Sequence, residues 1–128
     1  MSVDVRRLNG EPIVYAQFTG YVSEQDILQM FRKSVELTQD VPGRVYRITE
    51  MNDIEMPFDE MLRILKRMGA ANTPGATADA RFTAVLVGTQ EETYALSENA
   101  EKSGMNVPLF DNFDEALNYL RWQIHTEN

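Results

Sequence analysis

RFTAVLVG (81–88) carries Ala84, Val85, Leu86 and Val87 in an unbroken apolar run that ends at Gly88. A strand with one wet face alternates apolar and polar residues, whereas a run without alternation is expected where both faces are covered. The stretch therefore predicts an interior strand, placed at the middle of a sheet with helices above and below. Upstream of it, AANTPGATADA (70–80) is small and polar around a Pro-Gly pair and reads as a mobile surface loop. Downstream, Thr89 and Glu92 have capping-box spacing for a helix over about 90–103 that stops near Gly104.

Working back toward the N-terminus, RVYRITEM (44–51) predicts a strand and Pro57 opens a helix over about 57–70. SVDVRRL (2–8) and PIVYAQFTG (12–20) are strand-like and joined through Asn9-Gly10, a dipeptide suited to a hairpin turn. Ser23, with Asp26 three residues on, caps a helix over about 24–39. At the other end NVPLFDN supplies a short strand, and Asn112 with Glu115 starts a last helix to about 125. The order is a hairpin followed by strand-helix repeats. It predicts an α/β (α+β mixed) fold with a mixed sheet of about five strands, mostly parallel after the first, and about four helices, because a helical crossover favours a parallel return. No linker or repeat divides the chain, so residues 1–128 are expected to form a single domain.

Composition narrows the function classes. The 128 residues hold no cysteine, which removes disulfides, thiolate zinc sites and thiol nucleophiles and fits a reducing compartment. Twenty acids against twelve Lys and Arg leave a charge of −8 without a basic cluster, so nucleic-acid binding is not expected. No apolar run approaches the ~18 residues of a membrane span, and the N-terminus lacks an apolar signal core. The expected location is the cytoplasm.

Three stretches carry a family resemblance: IVYAQFTGYVSEQD (13–26), ARFTAVLVG (80–88) and VPLFDNFDEALNYLRW (107–122). In the last, Phe110, Asp114-Glu115-Ala116 and Leu120-Arg121-Trp122 resemble the closing helix of the SpoIIAA-like branch of the STAS fold. That fold is shared by anti-sigma-factor antagonists and small bacterial proteins described as STAS or SEC14-like. The resemblance implies the fold and a regulatory binding role. In signalling members a serine or threonine at a strand-to-helix joint is phosphorylated. The matching joint, NDIEMPFDE (52–60), has no hydroxyl, and Thr49 lies back in the strand, so the phosphoswitch is not carried over. Asp59 and Glu60 already satisfy the helix dipole there and would repel an added phosphate.

Candidate chemistry is sparse. Asp53, Glu55 and Asp59 offer hard oxygens for Mg²⁺ or Ca²⁺ without matching an EF-hand spacing, which leaves a small metal-assisted enzyme as one alternative. His125 is three residues from the end of the chain, Ser97 and Ser103 lie in a polar helix, and no G-x-S-x-G or glycine-rich nucleotide loop occurs. The chain is therefore expected not to be an enzyme and to need no cofactor. Apolar surface is more informative. The helix at 57–70 adds Ile64 and Met68 to Phe58, Met61, Leu62 and Leu65, a wider arc than one sheet contact needs. Met51, Met56, Phe58, Met61, Ile64 and Met68 form a predicted wall for an apolar small molecule or protein partner, since thioethers adapt to irregular shapes. On the last helix, Phe113, Ala116, Leu117, Leu120 and Ile124 share one stripe, which turns Trp122, with Tyr119 beside it, toward the other side. Burying a tryptophan removes roughly 200 Å², worth at most ~5 kcal/mol, so Tyr119 and Trp122 are a candidate homodimer contact and the alternative role is that of a homo-oligomeric structural or regulatory protein.

Overall fold

The computed structural model describes residues 3–127. Ser2, which the pattern assigns to the first strand, lies outside them. Nine elements follow in the order β1 (Val3–Arg7), β2 (Ile13–Gly20), α1 (Glu24–Leu37), β3 (Val45–Ile54), α2 (Phe58–Ala70), β4 (Phe82–Val87), α3 (Glu91–Lys102), β5 (Leu109–Phe110) and α4 (Phe113–Glu127). The fold is α/β, with four helices on a five-stranded mixed sheet of order β1-β2-β3-β4-β5. Only the β1–β2 pair is antiparallel. RFTAVLVG is interior, as expected, but the central strand is β3, because the crossovers all advance in one direction and β4 is followed by the two-residue β5.

Three successive crossovers in one direction place α1, α2 and α3 on the same face, as crossovers of one hand must. Their core includes Ala16, Phe18, Phe31, Met51, Leu65, Leu86 and Leu96. The chain leaves β5 without another strand to make, and α4 covers the opposite face, where Ala116, Leu117 and Leu120 pack on Ile13, Tyr15, Ile48 and Val85. Alternation along β3 sets the two faces: Val45, Thr49 and Met51 point one way, Tyr46 and Ile48 the other. A register shift between Thr19 and Gly20 then leaves Asp53 as an extra residue at φ 50°. The bulge flips the parity, so Ile54 joins the three-helix core rather than the α4 face.

Local signals explain most of the boundaries. Ser23 and Asp26 close the capping box reciprocally, at 3.2 and 2.9 Å, and the Asn112 side chain accepts the Glu115 N–H at 2.9 Å. The Thr89–Glu92 box does not form. Gln90 is the N-cap of α3, and its side-chain oxygen instead accepts the Ile54 N–H at 3.1 Å, tying α3 to the bulge. The 70–80 segment is corrected from a mobile loop to a pinned one. Gly75 and Ala76 are buried, the Gly75 N–H donates to Asp79, and Arg81 donates to the carbonyls of Thr38, Val41 and Gly43.

Candidate functional site

The four segments that leave the carboxyl ends of the parallel strands, 20–26, 52–60, 88–94 and 110–116, hold eleven of the twenty acids and none of the twelve Lys and Arg. These four segments thus sum to −11 and the rest of the chain to +3. The cause is local, since each segment opens a helix whose positive N-terminal dipole favours acids. Glu24 and Asp26, Asp59 and Glu60, Glu91 and Glu92, and Asp114 and Glu115 occupy those first turns. Topology does the gathering: four parallel strands aim four helix starts at one end. Glu24 pairs with Arg67 and Asp111 accepts from the Tyr94 hydroxyl, whereas Asp53, Glu55, Asp59, Glu60, Glu91 and Glu92 stand exposed.

An open groove of about 460 Å³ lies at the same end. Ile54, Met56, Pro57 and Phe58 supply its apolar surface, and Glu55, Asp59 and Glu92 supply carboxylates. It forms where β3 runs past the end of β4, which pairs with it only as far as Glu50. The Glu55 N–H bond to the Gly20 carbonyl at 2.8 Å and the Gln90 clamp on Ile54 hold this overhang in place. Tyr21 and Tyr94 lie on the neighbouring strand-to-helix segments with 69% and 48% of their surface exposed.

Of the predicted binding residues, Met56 and Phe58 line this groove, Phe58 half-buried and Met56 only 6% exposed, with most of its side chain in the core. The rest are not on a surface. Met51, Met61, Ile64 and Met68 are each at most 8% exposed and belong to the three-helix core. The expected surplus on α2 is therefore a correction: α2 is the middle helix of three, so its wide arc is consumed by the sheet below and a helix on either side. A narrow cavity of about 30 Å³ lies beneath it, lined by Met30, Thr49, Met51, Leu65, Leu86 and Leu96 among others, with room for a water or two rather than an apolar ligand. Thr49 itself is buried.

Trp122 is 61% exposed, as the helical spacing implies, and half-buried Tyr119 stacks between it and Phe110 at centroid distances of 6.5 and 5.1 Å. This ladder runs from β5 to the middle of α4, beside the Arg121–Glu11 ion pair that ties the helix to the hairpin, and shares no residue with the groove. Asp53, Glu55 and Asp59 do not converge. Among the described residues no three His, Asp or Glu side chains come close enough to hold a metal ion. Ser97 and Ser103 spend their hydroxyls on the carbonyls of Val107 and Asn99.

Pattern reading missed two polar features on β3. On the α4 face Tyr15, Glu50 and Asn52 form a chain in which both Glu50 oxygens accept, at 2.6 Å each. On the other face Arg47 is wholly enclosed. Its signal was available, because the period of two puts Arg47 in line with Val45, Thr49 and Met51, on an otherwise core-facing row.

No protein-family model matches this chain, and no curated protein matches it. A solved structure does: the crystal structure of an uncharacterized protein of the DUF3478 family with a SpoIIAA-like fold, from Shewanella loihica PV-4, is similar over 92% of this chain and 91% of its own, with a TM-score of 0.58 and 11% identity. The fold is SpoIIAA-like. Among the described residues no helix is long and apolar enough to cross a membrane.

Proposed function

We propose that this chain is a non-enzymatic SpoIIAA-like binding module that takes a cationic, partly apolar segment of a protein partner in the groove at the carboxyl end of its sheet. The carrying observation is the coincidence of two features at one end: a groove lined by Met56, Pro57 and Phe58, and four segments that carry −11 with no Lys or Arg of their own, Arg67 reaching in only to Glu24. Focused charge of one sign steers an oppositely charged partner, and apolar contact then holds it. The joint 52–60 offers no hydroxyl to phosphorylate, so the reading does not include a phosphoswitch there. A small apolar ligand is less well supported, since Met51, Met61, Ile64 and Met68 are enclosed and the cavity beside Met51 is so narrow.

The test is an amide NMR titration of the whole chain with a lysine-rich amphipathic peptide, run beside neutral Nile red. The expected result is a saturable, salt-sensitive response confined to 20–26, 52–60, 88–94 and 110–116, weakened by Phe58→Ala and by the Asp59→Lys, Glu92→Lys pair. Shifts scattered over the surface, or unchanged by Phe58→Ala, would reduce the interaction to bulk charge and remove the proposal. Nile red binding here without peptide binding would favour a small-molecule role instead.

A second reading, a homodimer through α4, is favoured by the exposed Trp122 and its stack on Tyr119. Sedimentation of the native chain and of Trp122→Ala distinguishes it: association must be present in the first and weakened in the second.

A further inference from the structure

Arg47 sits at the centre of β3 with none of its surface exposed. Buried charges are ordinarily paired with an opposite charge, because the cost of desolvation is otherwise uncompensated. Among the described residues Arg47 has no such ion pair. Its guanidinium lies between the rings of Phe31 and Phe82, at 5.2 and 5.3 Å, and only Nη1 is hydrogen-bonded, to the Gly75 carbonyl at 2.5 Å and the Ser34 hydroxyl at 3.3 Å. Nε and Nη2 are buried without a partner. These two nitrogens are adjacent, and together they make the side of the guanidinium that matches a carboxylate or phosphate with two parallel N–H···O bonds.

The segment 72–80 packs against this guanidinium through Nη1, the nitrogen outside the fork. The Gly75 carbonyl lies on Arg47, and Asp79, whose carboxylate accepts the Gly75 N–H, is the acid whose charge acts on the guanidinium. The strap is undercut. One crevice of about 340 Å³ runs beneath it past Gly69, Asn72, Thr73 and Asp79. Another of about 320 Å³ reaches Phe82, one of the rings over the guanidinium, and Ala84, the residue paired with Arg47 across the ladder. Three strap residues, Ala78, Asp79 and Ala80, border both.

We propose that Arg47 is the cation of an internal site for a small oxyanion, a carboxylate or phosphate group, with Nε and Nη2 as the binding fork and residues 72–80 as the strap that admits it. In the closed state the Gly75 carbonyl holds Nη1 and the charge of Asp79 acts on the guanidinium without bonding it, while the fork itself is unfilled. A ligand group on the fork supplies the missing counter-charge, and Asn72 and Thr73 bring side-chain polarity to the crevice through which it enters. The site is independent of the carboxyl-end groove: the crevices beside the strap share no lining residue with that groove, and its ligand has the opposite charge to the partner proposed there.

The experiment uses the whole chain and follows the Arg47 Nε–H resonance and the Gly75 amide during titration with inorganic phosphate and, separately, acetate, at constant ionic strength with chloride. The expected result is a saturable shift of both resonances with at least one of the two anions. Comparing the arms shows whether the site prefers phosphate or carboxylate chemistry. Arg47→Met abolishes the response, and Arg47→Lys, which keeps a charge but not the fork, weakens it by at least about tenfold. If neither anion moves the Arg47 resonance up to millimolar concentrations, or if the Gly75 response survives in Arg47→Met, the site does not exist. Should Arg47→Met fail to fold, the native-chain titration with chloride as its control decides alone.

Discussion

Tyr15 on β2 and Glu50 on β3 are joined across the ladder by a 2.6 Å bond from the phenol to the carboxylate, on the sheet face that α4 covers. Burial first, and then the bond to Glu50, push the phenol well above its usual range. A tyrosine freed by unfolding ionises near pH ~10, while folded Tyr15 resists, so its contribution is complete below that pH and is lost as the pH rises toward the folded pKa. Tyr94, raised by its bond to Asp111, acts in the same direction. Tyr15→Phe is expected to cost about 1–2 kcal/mol at neutral pH and to flatten, without abolishing, the fall in stability above pH ~10. Urea denaturation at neutral and alkaline pH measures both.

The burial of α2 makes its methionines structural. Met61→Ala and Ile64→Ala are each expected to destabilise by about 2–4 kcal/mol, from lost transfer energy and the cavity left behind. Arg63, exposed between them, should tolerate alanine within about 0.5 kcal/mol. A mild effect at Met61 and Ile64 would contradict their placement in the core.

Gly75 occupies φ +79°, and a Cβ there would meet the Phe31 carbonyl oxygen at 2.5 Å and the Val35 side chain at 3.0 Å. Gly75→Ala therefore combines left-handed strain with a backbone collision and should cost about 2 kcal/mol or more. Amide exchange across 72–80 is expected to accelerate in the variant, because the strap must lift off α1 to make room.

Arg121 clasps Glu11 with two bonds, 3.0 and 2.8 Å, joining the hairpin to α4. The hydrogen bond from Arg121 holds the Glu11 carboxyl below its usual range. The pair's contribution is present above the unfolded pKa of about 4.3 and is lost as the pH falls below it. The pair is at the surface, so Arg121→Ala should cost little at neutral pH, and less at high salt, as urea denaturation at two ionic strengths would show.

Trp122→Ala should change stability by less than about 0.5 kcal/mol in a monomer, since most of the ring already faces water. A larger loss that grows with protein concentration would mean that the ring is buried against a second copy.

Elements and their order were legible from short-range patterns, because caps, turns and periodicity act within a few residues. The box at Ser23 and Asp26 and the stripe on α4 are read from the same spacings that form them. The α2 site was misread because the arc from Phe58 to Met68 reports how much apolar surface a helix has and says nothing of how many neighbours cover it. That number follows from the crossovers, which set α2 between two other helices.

Composition and periodicity were thus enough to determine a hairpin, a run of strand-helix units, helix starts rich in acid, and one outward-facing tryptophan on α4. Tertiary structure decided the rest: that four acidic helix starts share one end with an apolar groove, that α2 is enclosed, and that Arg47 lies beside a strap with two of its three nitrogens unpartnered. Each of these depends on which distant segments meet, and contacts between residues such as Arg47 and Gly75 are made by the closing of the chain rather than by the neighbours of either residue.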